Sequence, residues 1–89
     1  MRVSHDYEAD PRPLSECLKE WQVALNGGRE YGARKVGQDA LRIRSADTYD
    51  GILKGRPTPY EPTFRRLMTM IAQSRGILQP EQDRQPIQR

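Results

Sequence analysis

The chain has 89 residues, with 15 Lys and Arg against 12 Asp and Glu, a formal net charge of +3, 35% hydrophobic residues and a mean hydropathy of −0.92. A chain of this length makes one domain with a small core, because a domain this size buries only about two thirds of its unfolded surface. No apolar run nears the roughly 20 residues that span a bilayer, the start Met1-Arg2-Val3-Ser4-His5-Asp6 lacks the apolar core of a signal peptide, and one cysteine cannot close an intrachain disulfide, so a cytoplasmic protein without membrane association is expected.

Residues 1–10 are polar and acidic, show no periodicity, and read as a flexible arm. Asp10-Pro11 predicts a helix start, since proline suits the first turn and a carboxylate there accepts orphan amides; Ser15 is a second, later cap. Leu14, Cys17, Leu18, Trp21, Ala24 and Leu25 then form one apolar stripe at helical spacing, and Asn26-Gly27-Gly28 ends the helix.

A second helix is expected from Arg29 to Leu41, with Ala33, Val36, Ala40 and Leu41 facing inward. Gly32 and Gly37 each weaken a helix interior by about 1 kcal/mol, and Gly37 offers an alternative end. After a tight break at Ile43-Arg44-Ser45, Ser45 caps a third helix from Ala46 to Lys54, which turns Tyr49, Ile52 and Leu53 to the core and is closed by Gly55. Thr58-Pro59-Tyr60-Glu61 fits a capping box for a fourth helix, although Pro62 can move its start. Phe64, Leu67, Met68, Ile71 and Ala72 form its stripe, and Gly76 stops it. From Gln79 the composition is that of a disordered tail.

With no strand alternation, the expected class is all-α: a compact bundle of four short helices, or five. The divisions are an acidic arm (1–10), a helix-turn-helix domain (11–78) and a tail (79–89).

His5 is the one histidine and Cys17 the one cysteine, and they lie in different segments. That excludes a zinc site of several soft ligands and makes a Cys-His pair unsupported, so no enzyme, metal or cofactor is expected. The charge is unevenly spread: residues 1–28 carry three Lys and Arg against five acids, residues 29–66 nine against five. A polyanionic partner would meet the basic half.

A groove-reading helix needs an apolar inner face, small or polar outer residues and flanking phosphate-binding cations. The third helix offers Tyr49, Ile52 and Leu53 inward. Arg44, Ser45, Asp47, Thr48 and Gly51 are the candidate base contacts, with Arg44 able to bridge guanine O6 and N7. Arg29, Arg34, Lys35, Arg42, Lys54 and Arg56 are the candidate phosphate contacts, with Arg29 at the positive end of helix two.

The run from Leu41 through Ile43, Ser45, Thr48-Tyr49 and Leu53-Lys54-Gly55-Arg56 resembles small helix-turn-helix regulators of the phage repressor and Cro type. In those proteins a leucine, an aliphatic residue and a serine lead into a Thr-aromatic helix ending in Leu-x-Gly-Arg/Lys. Phe64-Arg65-Arg66-Leu67-Met68 is similar to the helix that follows, and the likeness covers about residues 14–76. The resemblance implies an α-helical module that binds double-stranded DNA as a homodimer and regulates transcription, as a repressor or activator of phage-like or bacterial type. The sequence does not name the dimer surface; Met68, Met70 and Ile71, with Ile77-Leu78, are candidates for it, and core packing is the favoured alternative for Met68 and Ile71. The alternative is a small adaptor or inhibitor that turns the same helix pair on a protein partner; the acidic arm and the Asp47/Asp50 pair favour it.

Overall fold

The computed structural model describes residues 5–77; the expectations for residues 1–4, for Leu78 and for the tail 79–89 lie outside the described residues. Within them are four helices and no strand: α1 (Leu14–Leu25), α2 (Ala33–Leu41), α3 (Ala46–Leu53) and α4 (Glu61–Ser74). Helix α1 is central and packs against α2, α3 and α4, while α2 also reaches α4.

Three helix starts differ from expectation, each for a local reason. Helix α1 begins at Leu14, with Pro13 at its cap (φ −56°, ψ 148°), not at Pro11. A proline forces the residue before it out of helical backbone, so Pro13 bars a start at Arg12. The Asp10 carboxylate instead accepts the Arg12 amide at 2.9 Å and the Arg12 guanidinium at 2.6 Å.

Helix α2 begins at Ala33 rather than Arg29, because Gly28 and Gly32 hold φ of 86° and 84°, outside right-handed helix. The intervening loop is tied by Asn26, whose amide donates to the carbonyls of Arg29 and Tyr31, each at 2.8 Å. In α4 the capping box does not form. Thr58 Oγ1 accepts the Tyr60 amide at 3.2 Å, and the Glu61 carboxylate turns forward to accept from Arg65 Nε at 3.0 Å.

The expected stops hold. Each helix ends on a left-handed residue whose successor's amide returns to a carbonyl five residues back, at 2.9 Å (Gly28), 3.2 Å (Ile43), 2.8 Å (Arg56) and 2.9 Å (Ile77). At three ends that residue is glycine; at the end of α2 it is Arg42, the one non-glycine with positive φ (59°) among the described residues. Gly37 does not end α2 but lies inside it.

The core is built from Leu14, Cys17, Leu18 and Trp21 of α1, Leu41 of α2, Tyr49 and Ile52 of α3, and Met68 and Ala72 of α4. Trp21 Nε1 donates to the Met68 carbonyl at 3.0 Å, which joins α1 to α4 across the centre.

Residues 5–10 are not a loose arm. Tyr7 is 2% exposed and belongs to the core; its amide donates to Thr69 Oγ1 at 2.9 Å. Arg65, 9% exposed, completes the attachment: Nη1 donates to the carbonyls of Tyr7 (2.8 Å) and Asp10 (3.1 Å), and Nη2 to that of Arg12 (2.6 Å). A buried backbone must have its polar groups satisfied, and here two polar side chains of α4 do so.

Candidate nucleic-acid interface

Helix α3 is held by its inner face. Tyr49 is fully buried, its hydroxyl donates to Gln22 Oε1 at 2.8 Å, and burial pushes the phenol above its ordinary range, so it stays neutral. The ring end fits against the bare Cα of Gly37, where a β-carbon would overlap the hydroxyl and lie 2.9 Å from Gln22 Cβ. Gly37 therefore serves close packing of α2 on α3 and α1.

The turn between α2 and α3 is braced from below. Gln38, 8% exposed, donates through Nε2 to the carbonyls of Ile43 (2.9 Å) and Arg44 (3.3 Å). Ser45 caps α3 as expected, its Oγ accepting the Thr48 amide at 3.2 Å. With their backbone fixed in this way, Arg44, Ser45, Ala46, Asp47 and Thr48 all stand exposed.

At about 100° per residue, a helix with Tyr49 and Ile52 inward points Asp47 and Lys54 directly outward, with Asp50 and Gly51 on either flank. An arginine covers each flank. Arg34, from α2, donates through Nε to Asp50 Oδ1 and through Nη2 to the Ala46 carbonyl at 3.3 Å. This bond holds the Asp50 carboxyl below the usual carboxylate range. Arg56, from the loop after α3, lies over Gly51, where a β-carbon would stand 2.6 Å from Nη1 and 2.7 Å from Cζ.

Gly51 is accordingly buried, and as a base contact it is corrected: the surface at that point belongs to Arg56. Arg29 is exposed but lies in the loop ahead of α2, so it does not mark that helix's positive end. Lys35 is exposed and pairs with Asp39 at 3.2 Å, one turn along α2. Arg42 and Lys54 are exposed at the C-terminal ends of α2 and α3. Asp47 makes no ion pair among the described residues.

Sequence reasoning missed Gln38, the Arg34–Asp50 pair and Arg65. Gln38 and Arg65 stand at helical spacing with buried residues of their own helices, Leu41 in α2 and Met68 and Ala72 in α4, but they are polar. What buries or pairs each side chain is a partner outside its own helix, which the helical period does not register. Of the dimer-surface candidates, Met68 and Ile71 follow the core-packing alternative, Met68 being fully buried and Ile71 and Ile77 packed against the core, while Met70 is 55% exposed.

Cys17 is fully buried, and burial pushes its thiol up, so little thiolate forms near neutral pH. Among the described residues no three His, Cys, Asp or Glu side chains converge, and no helix is long and apolar enough to cross a membrane.

No family model, curated protein or solved structure matches the chain. The reading of residues 41–56 thus rests on their own geometry.

Proposed function

We propose that the chain is a sequence-specific DNA-binding module, a small transcriptional regulator whose α2–turn–α3 unit docks α3 in the major groove. The observation that carries this reading is the contrast between the two faces of α3. Tyr49 and Ile52 are buried in the core, while the capped N-terminal segment Arg44–Thr48 is exposed and flanked by Arg34, Arg42, Lys54 and Arg56. Such a helix offers base-edge groups on a rigid support with cations placed around them.

In this reading Arg44, Ser45, Asp47 and Thr48 face base edges, and Arg29, Lys35, Arg42, Lys54 and Arg56 meet phosphates. A single module of this size makes few contacts, so two copies on paired half-sites are part of the proposal. The test is fluorescence anisotropy on duplexes enriched from a random library, read against salt. Affinity should fall steeply with salt. Arg44→Ala should weaken binding by about 1–3 kcal/mol and relax preference at one base pair, whereas Lys54→Ala should weaken all duplexes alike and lower the salt slope by about one.

A second reading, the protein adaptor, draws on Asp47 standing outward without an ion pair among the described residues and on Tyr31 at 96% exposed. Failure to retain any duplex at low salt would replace the first reading with this one.

A further inference from the structure

Two acidic residues on the outer side of α3 look like the weak point of a DNA-binding surface. Their surroundings differ. Asp47 has no ion-pair partner among the described residues, whereas Asp50 is bonded to the Nε of Arg34, a residue of the preceding helix. The Arg34 guanidinium is gripped a second time by the Ala46 carbonyl at 3.3 Å, through one Nη2 hydrogen. Both Nη1 hydrogens and the other Nη2 hydrogen have no acceptor among the described residues, and the side chain is 38% exposed.

That arrangement suits one kind of ligand atom more than another. A phosphate is attracted by net charge, and an arginine paired with a carboxylate presents almost none. A guanine edge instead requires two donors at fixed spacing and orientation, and a guanidinium already held at Nε loses less freedom on meeting it. Ala46 and Asp50, the two grips, are the first and fifth residues of the eight-residue α3, one turn apart, and the Ala46 grip holds the guanidinium at the N-terminal turn, the part of a groove-docked helix nearest the bases.

We infer that Arg34 is a base-reading arginine, donating to guanine O6 and N7 from α2, and that Asp50 is its positioning residue. This rests on the DNA-binding reading and reassigns Arg34 from backbone to base. It also inverts the expected effect of Asp50. If Asp50 only repelled phosphates, removing its charge would tighten binding.

The experiment compares Asp50→Asn, Asp47→Asn, Arg34→Lys and the natural chain on two probes. One is the duplex most enriched by the natural chain from a random-sequence library, the other an unselected duplex. Asp47→Asn and Asp50→Asn each remove one negative charge, so their difference isolates the positioning role. Asp50→Asn is expected to weaken the selected duplex by at least about fivefold while the unselected duplex is held equally or more tightly. Asp47→Asn should tighten both. Arg34→Lys keeps the charge but loses the fork, and should reduce the ratio of selected to unselected affinity by a similar factor.

Tightening of the selected duplex by Asp50→Asn, matching Asp47→Asn, overturns the inference and leaves the DNA reading intact. An unchanged affinity ratio in Arg34→Lys does the same, and serves where Asp50→Asn does not fold. If the natural chain enriches no duplex at all, the DNA reading fails and the inference with it.

Discussion

Tyr49 seats its hydroxyl against the bare Cα of Gly37, and through that contact α3 is fixed to α2 and, by the bond to Gln22, to α1. The glycine that looks like a helix breaker is a position where side chains of α1 and α3 press on the α2 backbone. Gly37→Ala gains about 1 kcal/mol of helix propensity but forces the phenol or the helix aside, which typically costs about 1–3 kcal/mol. A net destabilisation is expected in urea unfolding. Combining it with Tyr49→Phe should recover part of the loss, and strict additivity in the double-mutant cycle would refute the steric account.

Gly51 should behave in the opposite way. The nearest atoms to its added β-carbon all belong to the end of the flexible Arg56 side chain, which can move. Gly51→Ala is therefore expected to raise stability by about 0.5–1 kcal/mol through the helix term, as measured by the denaturation midpoint. Under the proposed function it would also displace Arg56 and weaken duplex binding.

Arg42 holds φ 59° and ψ 37°, a conformation that costs a side-chain-bearing residue about 1–2 kcal/mol relative to helical backbone. Arg42→Gly removes that strain and gives back part of the gain through the freer unfolded chain. A rise in stability of about 0.5–1 kcal/mol is expected by chemical denaturation. A fall would show that the Arg42 side chain stabilises the turn more than its backbone strains it.

Arg65→Met leaves the carbonyls of Tyr7, Asp10 and Arg12 without their guanidinium donor. Loss of a buried, charge-assisted set of bonds of this kind destabilises by about 2–4 kcal/mol. Hydrogen exchange gives the finer readout: the Tyr7 amide, bonded to Thr69, should lose protection before the amides of α1 do.

Asp10 links stability to acid. Its carboxylate, 3% exposed, is held well below the usual range chiefly by its hydrogen bond with Arg12, with His5 also bonded to it at 2.6 Å. The folded state thus binds the Asp10 proton less readily than the unfolded chain. Its contribution is present at neutral pH and lost as pH falls below about 5 toward the depressed value. Asp10→Asn should lower stability at neutral pH and flatten this acid limb. An unchanged slope between neutral and acid pH would contradict the linkage.

What the sequence determined by itself was local. Apolar spacing identified α1 and α4, Ser45 marked the start of α3, and the residues after Asn26, Lys54 and Arg75 marked helix ends, because helical period, side-chain caps and left-handed glycine act within a few residues. The exposed segment Arg44–Thr48 was legible on the same basis, since it follows a cap and precedes the first inward residue. The tertiary structure alone decided which polar groups are buried and which charges are paired. Tyr7 joins the core through Thr69, 62 residues away, Arg65 reaches back 58 residues to the same Tyr7, and Arg34 takes up Asp50 from another helix. Burial of a polar group is stable only when a partner satisfies it, and that partner is chosen by packing in space, which no periodicity along the chain encodes.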